Sequence, residues 1–300
     1  MCGSRGGRVY DAGVASHLIG LIGSGVAGSL SPALFEAEAD ALGLRLVYTT
    51  LDVDRLGAVG GLGDLVRTAW LMGYTGLDVT HPCKNAITGY LDGLDDDAAT
   101  LDAVNMVSRR DGRSIGHNTD WSGFLAAFDD GLFGMPAGRV VVLGAGGAGS
   151  AVGHALLTRG TGHLAVVDVD AGRAHALAGR LRGRFPHAHV TAYGDPSVAL
   201  RADRADGLVN TTPVGMDGYP GMPVPAALVA PHLWVVDVIY RPWETALLAR
   251  ARAAGCRVLN GGGMLVHQAA EGFRLLTGHP PDTGRMLRHF RDLTALSRRF

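Results

Sequence analysis

Residues 139–149 read Arg-Val-Val-Val-Leu-Gly-Ala-Gly-Gly-Ala-Gly, and this stretch decides the fold. The run 139–143 predicts a strand buried on both faces, because it is rich in β-branched residues and lacks the polar alternation of a half-exposed strand. Gly144, Gly146 and Gly149 follow at the spacing Gly-x-Gly-x-x-Gly, with Ala145, Gly147 and Ala148 between them. The Ala/Leu-rich residues beyond them predict a helix to about Arg159. A second apolar run, 164–167, then ends at Asp168, 19 positions beyond Gly149. Strand, glycine turn, helix, strand and terminal carboxylate form the context in which such glycines hold a dinucleotide. They permit the tight turn and let pyrophosphate rest on free amides at the positive end of the helix. The carboxylate accepts hydrogen bonds from the adenosine ribose.

Asp168 also bears on which dinucleotide is held. Its charge repels the 2'-phosphate of NADP, and the residues after it, Val169 and Asp170, supply no cation, so NAD is expected. Arg173 lies nearby, but with two carboxylates beside it the reading is stacking on adenine or pairing with Asp170. Arginines 180, 182 and 184 read as a solvated helix face.

Outward from this unit, runs at 207–209 and 234–239 with helices between them extend the pattern to a doubly wound parallel sheet of the Rossmann type. Upstream, strands are expected at 17–22, 45–50 and 76–79, with helices after Ser31-Pro32, over 62–72 and after Pro82. Ser31 is expected to cap the first of these, with Pro32 in its first turn. The class is therefore α/β, a smaller N-terminal α/β domain followed by the nucleotide domain. At 300 residues, two domains also agree with length.

Composition excludes several classes. With 47% hydrophobic and 18% charged residues the chain is globular, and a net charge of -1, 27 basic against 28 acidic residues, gives no field to attract nucleic acid. The longest apolar runs, 18–22 and 233–240, are too short to cross a membrane. Residues 1–13 carry no secretion signal and read as a loose extension. Cys2, Cys83 and Cys256 form no disulfide framework, which fits the cytoplasm, and Cys83 reads as a packing residue. The 12 histidines show no ligand spacing, so no metal is expected, and His187 and His189 read as one face of a strand or an exposed loop. The stripe Val266, Ala269, Ala270 and Phe273 has helical spacing and reads as core. Among the 27 basic residues there is one lysine, Lys84, against 26 arginines. A lone lysine in such a chain marks a place where something besides positive charge is required.

Four short segments put small polar residues where a core would need apolar ones: 29–32 (Ser-Leu-Ser-Pro), 78–84 (Asp-Val-Thr-His-Pro-Cys-Lys), Asn105 with 117–120 (His-Asn-Thr-Asp), and 263–269 (Gly-Met-Leu-Val-His-Gln-Ala). Together, around the glycine fingerprint, they resemble the shikimate dehydrogenase family from about Gly20 to Gly278. Within it they are most similar to the NAD-dependent quinate/shikimate dehydrogenases. The resemblance implies a substrate domain of residues 1–119, completed by C-terminal helices in 260–300, facing a nucleotide domain of 120–259 across a cleft. Lys84 and Asp120 match the catalytic pair, Ser29 and Ser31 the hydroxyls on the substrate carboxylate, and Thr80, Asn105 and Gln268 further substrate contacts. Tyr240 matches a contact near the carboxylate. Thr211, Val238 and Gly261 match the nicotinamide side. The implied partner is a carboxylated cyclic polyol, with a homodimer also admissible, and the implied reaction passes hydride between a ring hydroxyl and NAD. Lysine suits proton relay where arginine would hold its proton.

Two positions depart from the family pattern, Gly28 where many relatives have histidine and Asp78 where asparagine is usual. Gly28 reads as a harmless loop change. Asp78 either bonds local amides or alters substrate choice, in which case an amino-bearing relative of shikimate or quinate is an alternative substrate. Ser31 tilts the choice towards shikimate, since relatives accepting quinate often carry threonine there. A non-catalytic metabolite sensor of the same fold is the alternative of another class.

Overall fold

The computed structural model describes residues 16–56, 61–202 and 204–297; the N-terminal stretch read as a loose extension lies outside them. The first part of the chain runs β1 (Ser16–Gly23), α1 (Ser31–Ala41), β2 (Arg45–Asp52), α2 (Val53–Leu56), α3 (Gly61–Leu71) and β3 (Gly76–Val79). It continues with α4 (Cys83–Ala86), β4 (Gly93–Leu94), α5 (Asp96–Leu101), β5 (Met106–Arg110) and β6 (Arg113–His117). Its sheet has the order β2-β1-β3-β5-β6-β4. β1 is parallel to β2 and β3, whereas β5 runs antiparallel to β3 and β6. The hairpin β5–β6 turns at Asp111 and Gly112, both at positive φ (52° and 79°), as a two-residue turn of the primed type demands.

The second part runs α6 (Asp120–Leu132), β7 (Arg139–Leu143), α7 (Gly147–Thr158), β8 (His163–Val167), α8 (Ala171–Arg184) and β9 (His189–Tyr193). After these come α9 (Pro196–Ala202), β10 (Gly207–Asn210), β11 (Trp234–Asp237), α10 (Ala246–Ala253) and β12 (Arg257–Asn260). The sheet order is β12-β11-β10-β7-β8-β9, parallel throughout. Strand order reverses between β7 and β10, and the loops leaving those two strands bound the crevice where doubly wound sheets take ligands. Both faces are covered: Phe124, Phe128, Leu156 and Leu177 pack on one, Leu247, Ala251 and Ala199 on the other. A sheet so enclosed has no polar alternation, which is why 139–143 was legible.

Two helices close the chain, α11 (Gly262–Thr277) and α12 (Thr283–Ser297), and they return to the first sheet. Val266, Ala269, Ala270 and Phe273 pack with Ile19, Phe35 and Met106, so the stripe is core as expected. Glu38 of α1, buried to 1% exposure, accepts a two-pronged bond from Arg285 (2.7 and 2.8 Å) and another from the Asp282 amide at 2.7 Å, pinning α12 to α1. Two expectations need correction. Ser31 does not cap α1: the capping position is Leu30, and Ser29 Oγ accepts from the Ser31 amide at 3.2 Å. The strand expected over 234–239 stops at Asp237, whose carboxylate takes the Ile239 amide and the Thr245 hydroxyl and so draws the chain out of the ladder. His189 opens β9, a strand, stacked on His163 of the neighbouring strand. Among the described residues no helix is long and apolar enough to cross a membrane.

Candidate active site

The site is assembled around Asn105, buried to 1% exposure just before β5. Its amide nitrogen donates to Thr119 Oγ1 (2.9 Å), Asp120 Oδ1 (3.1 Å) and Gln268 Oε1 (3.1 Å), while its carbonyl accepts from the Thr119 amide at 2.7 Å. Asn118 sets the start of α6: its side chain donates to the Ala103 carbonyl and accepts from the Asp120 amide. Gln268 is brought in by α11, with Thr119 Oγ1 on its carbonyl at 3.1 Å. A buried polar group needs every partner, so this network fixes each member to one rotamer. The remaining oxygen of Asp120, Oδ2, lies 2.5 Å from Lys84 Nζ. Lys84 stands on the single turn of α4, and its carbonyl takes the Val104 amide at 2.9 Å, coupling that turn to the segment that carries Asn105 into β5.

A second group of side chains lies on the same sheet face towards α1. Tyr48 Oη donates to Asp78 Oδ2 at 2.5 Å, and Tyr48 is also hydrogen-bonded with Ser31. Burial pushes the Asp78 carboxyl up to about 6, against the opposing pull of the Tyr48 hydrogen bond and the Lys84 charge. Burial, then the Asp78 charge, holds the Tyr48 phenol well above its ordinary range. Tyr240 is raised by burial and Asp78 and lowered by its neighbour Arg241. Arg241 Nη1 donates to the Gly28 carbonyl at 2.9 Å, one residue before Ser29. Thr80 is anchored through its amide to Ile22. Arg241 and Tyr48 did not stand out in the sequence, and Thr119 did so only as part of the segment 117–120. Arg241 adjoins Tyr240, which did, while Tyr48 is an ordinary strand residue with no local signal.

On the nucleotide side, Gly144 sits at φ 99°, and a Cβ at Gly149 would lie 2.0 Å from the Gly144 carbonyl oxygen, so both positions require glycine. A Cβ on Gly146 would meet nothing within 4 Å, and one on Gly147 would meet Lys84 Cδ at 3.9 Å. Open space therefore lies over the first turn of α7, whose N-terminus has no side-chain cap, and Lys84 borders it. Uncapped amides beside a cradle of this kind fit the pyrophosphate of a dinucleotide. Ala145 and Ala148 complete the loop, the Ala145 amide bonding Asp168 Oδ2 at 2.8 Å. Asp168 Oδ1 accepts from the Asp170 amide (2.8 Å) and from Arg173 (3.1 Å), and Asp170 caps α8 through the Arg173 amide. Arg173 thus pairs with both carboxylates, at 3.1 Å and 3.6 Å. The Thr211 hydroxyl turns into the loop, on the Leu143 and Gly144 carbonyls (2.6 and 3.2 Å). A Cβ on Gly261 would lie 1.9 Å from the Val238 oxygen, so these two backbones pack directly.

Comparison with known proteins gives the family to which the chain is similar. Residues 21–107 match the model of the shikimate dehydrogenase substrate binding domain, and residues 261–289 that of the shikimate 5'-dehydrogenase C-terminal domain. A shikimate dehydrogenase (NADP(+)) of Streptomyces avermitilis is 52% identical over 282 residues, 93% of this chain and 96% of the relative. A quinate/shikimate dehydrogenase (NAD(+)) of Corynebacterium efficiens is 43% identical over 280 residues, covering 93% and 99%. Among solved structures, quinate dehydrogenase from Corynebacterium glutamicum in complex with NAD superposes with a TM-score of 0.85 at 42% identity, covering 92% and 99%.

Proposed function

The chain belongs to the shikimate dehydrogenase family, oxidoreductases acting on shikimate or quinate with a nicotinamide cofactor, and we propose that Lys84 and Asp120 carry its proton transfer and that NAD is its preferred cofactor. The observation that carries the catalytic assignment is the 2.5 Å contact between Lys84 Nζ and Asp120 Oδ2, beside the open space at Gly147. A bound nicotinamide supplies the hydride acceptor. Lys84 takes the hydroxyl proton as the ring carbon is oxidised, and in reverse its ammonium protonates the developing alkoxide. Asp120 orients the lysine and accepts a substrate hydroxyl, itself held by Asn105. Thr80, Asn105 and Gln268 bind ring hydroxyls, and Ser29 and Ser31 with Tyr240 receive the carboxylate. The substrate unit is residues 1–119 with 260–300, the nucleotide unit 120–259.

For the cofactor, the support is local. Asp168 is 8% exposed, already accepts bonds on both oxygens, and neutralises the nearest cation, Arg173. Whole-chain identity is higher to the NADP-named relative than to the NAD-named one, but identity averages over the chain while a 2'-phosphate meets a few residues at the end of β8. The cytoplasm is the proposed compartment. The test is a panel of shikimate and quinate with NAD and NADP, followed by absorbance of the reduced cofactor. NADH formation with either acid is expected. Tight binding without turnover would make the protein a sensor, and a higher specificity constant with NADP would overturn the cofactor assignment.

A further inference from the structure

Asp78 is a carboxyl group for which the proton-transfer chemistry has no use. It lies on the central strand β3, opposite Leu21 of β1 and Met106 of β5, and is 5% exposed. The polar groups facing it come from every element around it: Tyr48 from β2, which also bonds Ser31 of α1, Lys84 from α4, Asp120 from α6, and Tyr240 from the segment after β11. Four of these five, all but Tyr48, are groups assigned above to the substrate or its reaction. Asp78 therefore stands between the carboxylate end and the reacting end of the site. The adjacent Val79 amide also bonds this carboxyl, but Oδ2 is held by a phenol from another strand at 2.5 Å, so a local turn is not its whole role.

Counting charge makes the consequence plain. Ionised Asp78 and Asp120 leave the cluster around Lys84 one unit negative, and a carboxylated polyol adds another. Two like charges about 6 Å apart at an effective dielectric of 20 repel by an amount equal to one to two powers of ten in affinity. A ring substituent bearing an ammonium group reverses the sign of that interaction. We propose that Asp78 is a specificity-determining residue, a fixed carboxylate that disfavours a carboxylated ring carrying hydroxyls alone and favours one in which a hydroxyl is replaced by an amine. The inference rests on the substrate site assigned above.

Because the Asp78 carboxyl sits at about 6, its protonated form is populated in mildly acidic solution and its charge is complete at pH 8. Shikimate binding to the protein without cofactor, measured by calorimetry, should weaken about tenfold from pH 5.5 to 8. Asp78→Asn should flatten that profile and bind shikimate more tightly than the parent at pH 8, while lowering the ratio of kcat/KM for an amino analogue that keeps the reacting hydroxyl over shikimate at least tenfold. Tyr48→Phe removes a bond that favours the charged form, so it should move the fall in shikimate affinity to higher pH. This second variant tests the charge even if Asp78→Asn folds poorly. An amine-to-hydroxyl ratio within twofold of the parent in Asp78→Asn, or an affinity profile that ignores both substitutions, overturns the proposal. Absence of turnover by the parent with every acid in the panel instead overturns the functional assignment beneath it.

Discussion

Replacing Asp168 by asparagine tests the cofactor assignment through one charge. The side chain is 7% exposed and its Oδ1 lies 3.1 Å from Arg173, whose own side chain is 58% exposed. A unit charge at about 4 Å from a second, at an effective dielectric of 20, contributes about 4 kcal/mol. The exposed Arg173 cation offsets about half of that repulsion for an incoming 2'-phosphate, leaving about 2 kcal/mol, or roughly 30-fold. Asparagine also meets the Ala145 and Asp170 amides less well than the carboxylate does, but that loss acts on the glycine loop and weakens both cofactors alike. The quantity to measure is therefore the ratio of kcat/KM for NADP to that for NAD, in which the shared loss cancels. Asp168→Asn should raise the ratio roughly 30-fold. Asp170→Asn, at a carboxylate 55% exposed and engaged in capping α8, should move it less than about threefold, because solvent screens its charge. A change below threefold at Asp168, or an equal change at both positions, refutes the reasoning.

Other substitutions test the remaining assignments. Lys84→Arg keeps the charge beside Asp120 but not the relay, so kcat should fall by about 10²–10⁴-fold with the melting temperature unchanged; near-normal turnover reassigns the proton. Asp237, fully buried, has its carboxyl pushed up to about 6 by burial despite bonds from Thr245, Ile239 and Asn210. A raised carboxyl favours the protonated fold, so its contribution is present below about pH 4 and lost as pH rises through 6. Asp237→Asn should therefore gain stability over the parent by on the order of 2 kcal/mol between pH 4 and 7, read by urea unfolding at each pH, and a flat difference contradicts this. Arg285→Met leaves the buried Glu38 carboxylate without its two-pronged partner, and should cost about 3 kcal/mol in the same assay, which Glu38→Gln in addition should partly restore.

The parts of this molecule that were legible are those where the backbone makes a demand on one residue. Gly144 at φ 99° and Gly149 against the Gly144 carbonyl admit no other side chain, so the fingerprint is written into the sequence. The two-sided burial of β7, β8 and β10 likewise forces continuous apolar runs. The hairpin β5–β6 went unread although Asp111-Gly112 is its signal, because its strands, Met-Val-Ser-Arg-Arg and Arg-Ser-Ile-Gly-His, are polar on their exposed ends. For a related reason β12 gives no strand signal and β9 reads equally as strand or loop: they are the sheet's edges and carry the exposed residues an edge tolerates.

What sequence could not supply is partnership created by register. Asp78 was visible as a departure from pattern, yet its meaning depends on Tyr48, 30 positions away. In the parallel ladder Tyr48 stands opposite Ile19 and Asp78 opposite Leu21, on either side of β1. Ile19 and Leu21 are two residues apart on one strand and so point to one face, which puts the phenol and the carboxyl on that face with a single strand between them. A phenol spans one strand; a shorter side chain at position 48 would leave Asp78 Oδ2 without its cross-strand donor. A slip of one residue between β1 and β2 would turn Tyr48 to the opposite face and uncouple the pair. The charge at position 78 is thus held in the substrate site by the same register that packs Ile19 and Leu21 beneath α11, so stability of the sheet and placement of the carboxyl are a single property.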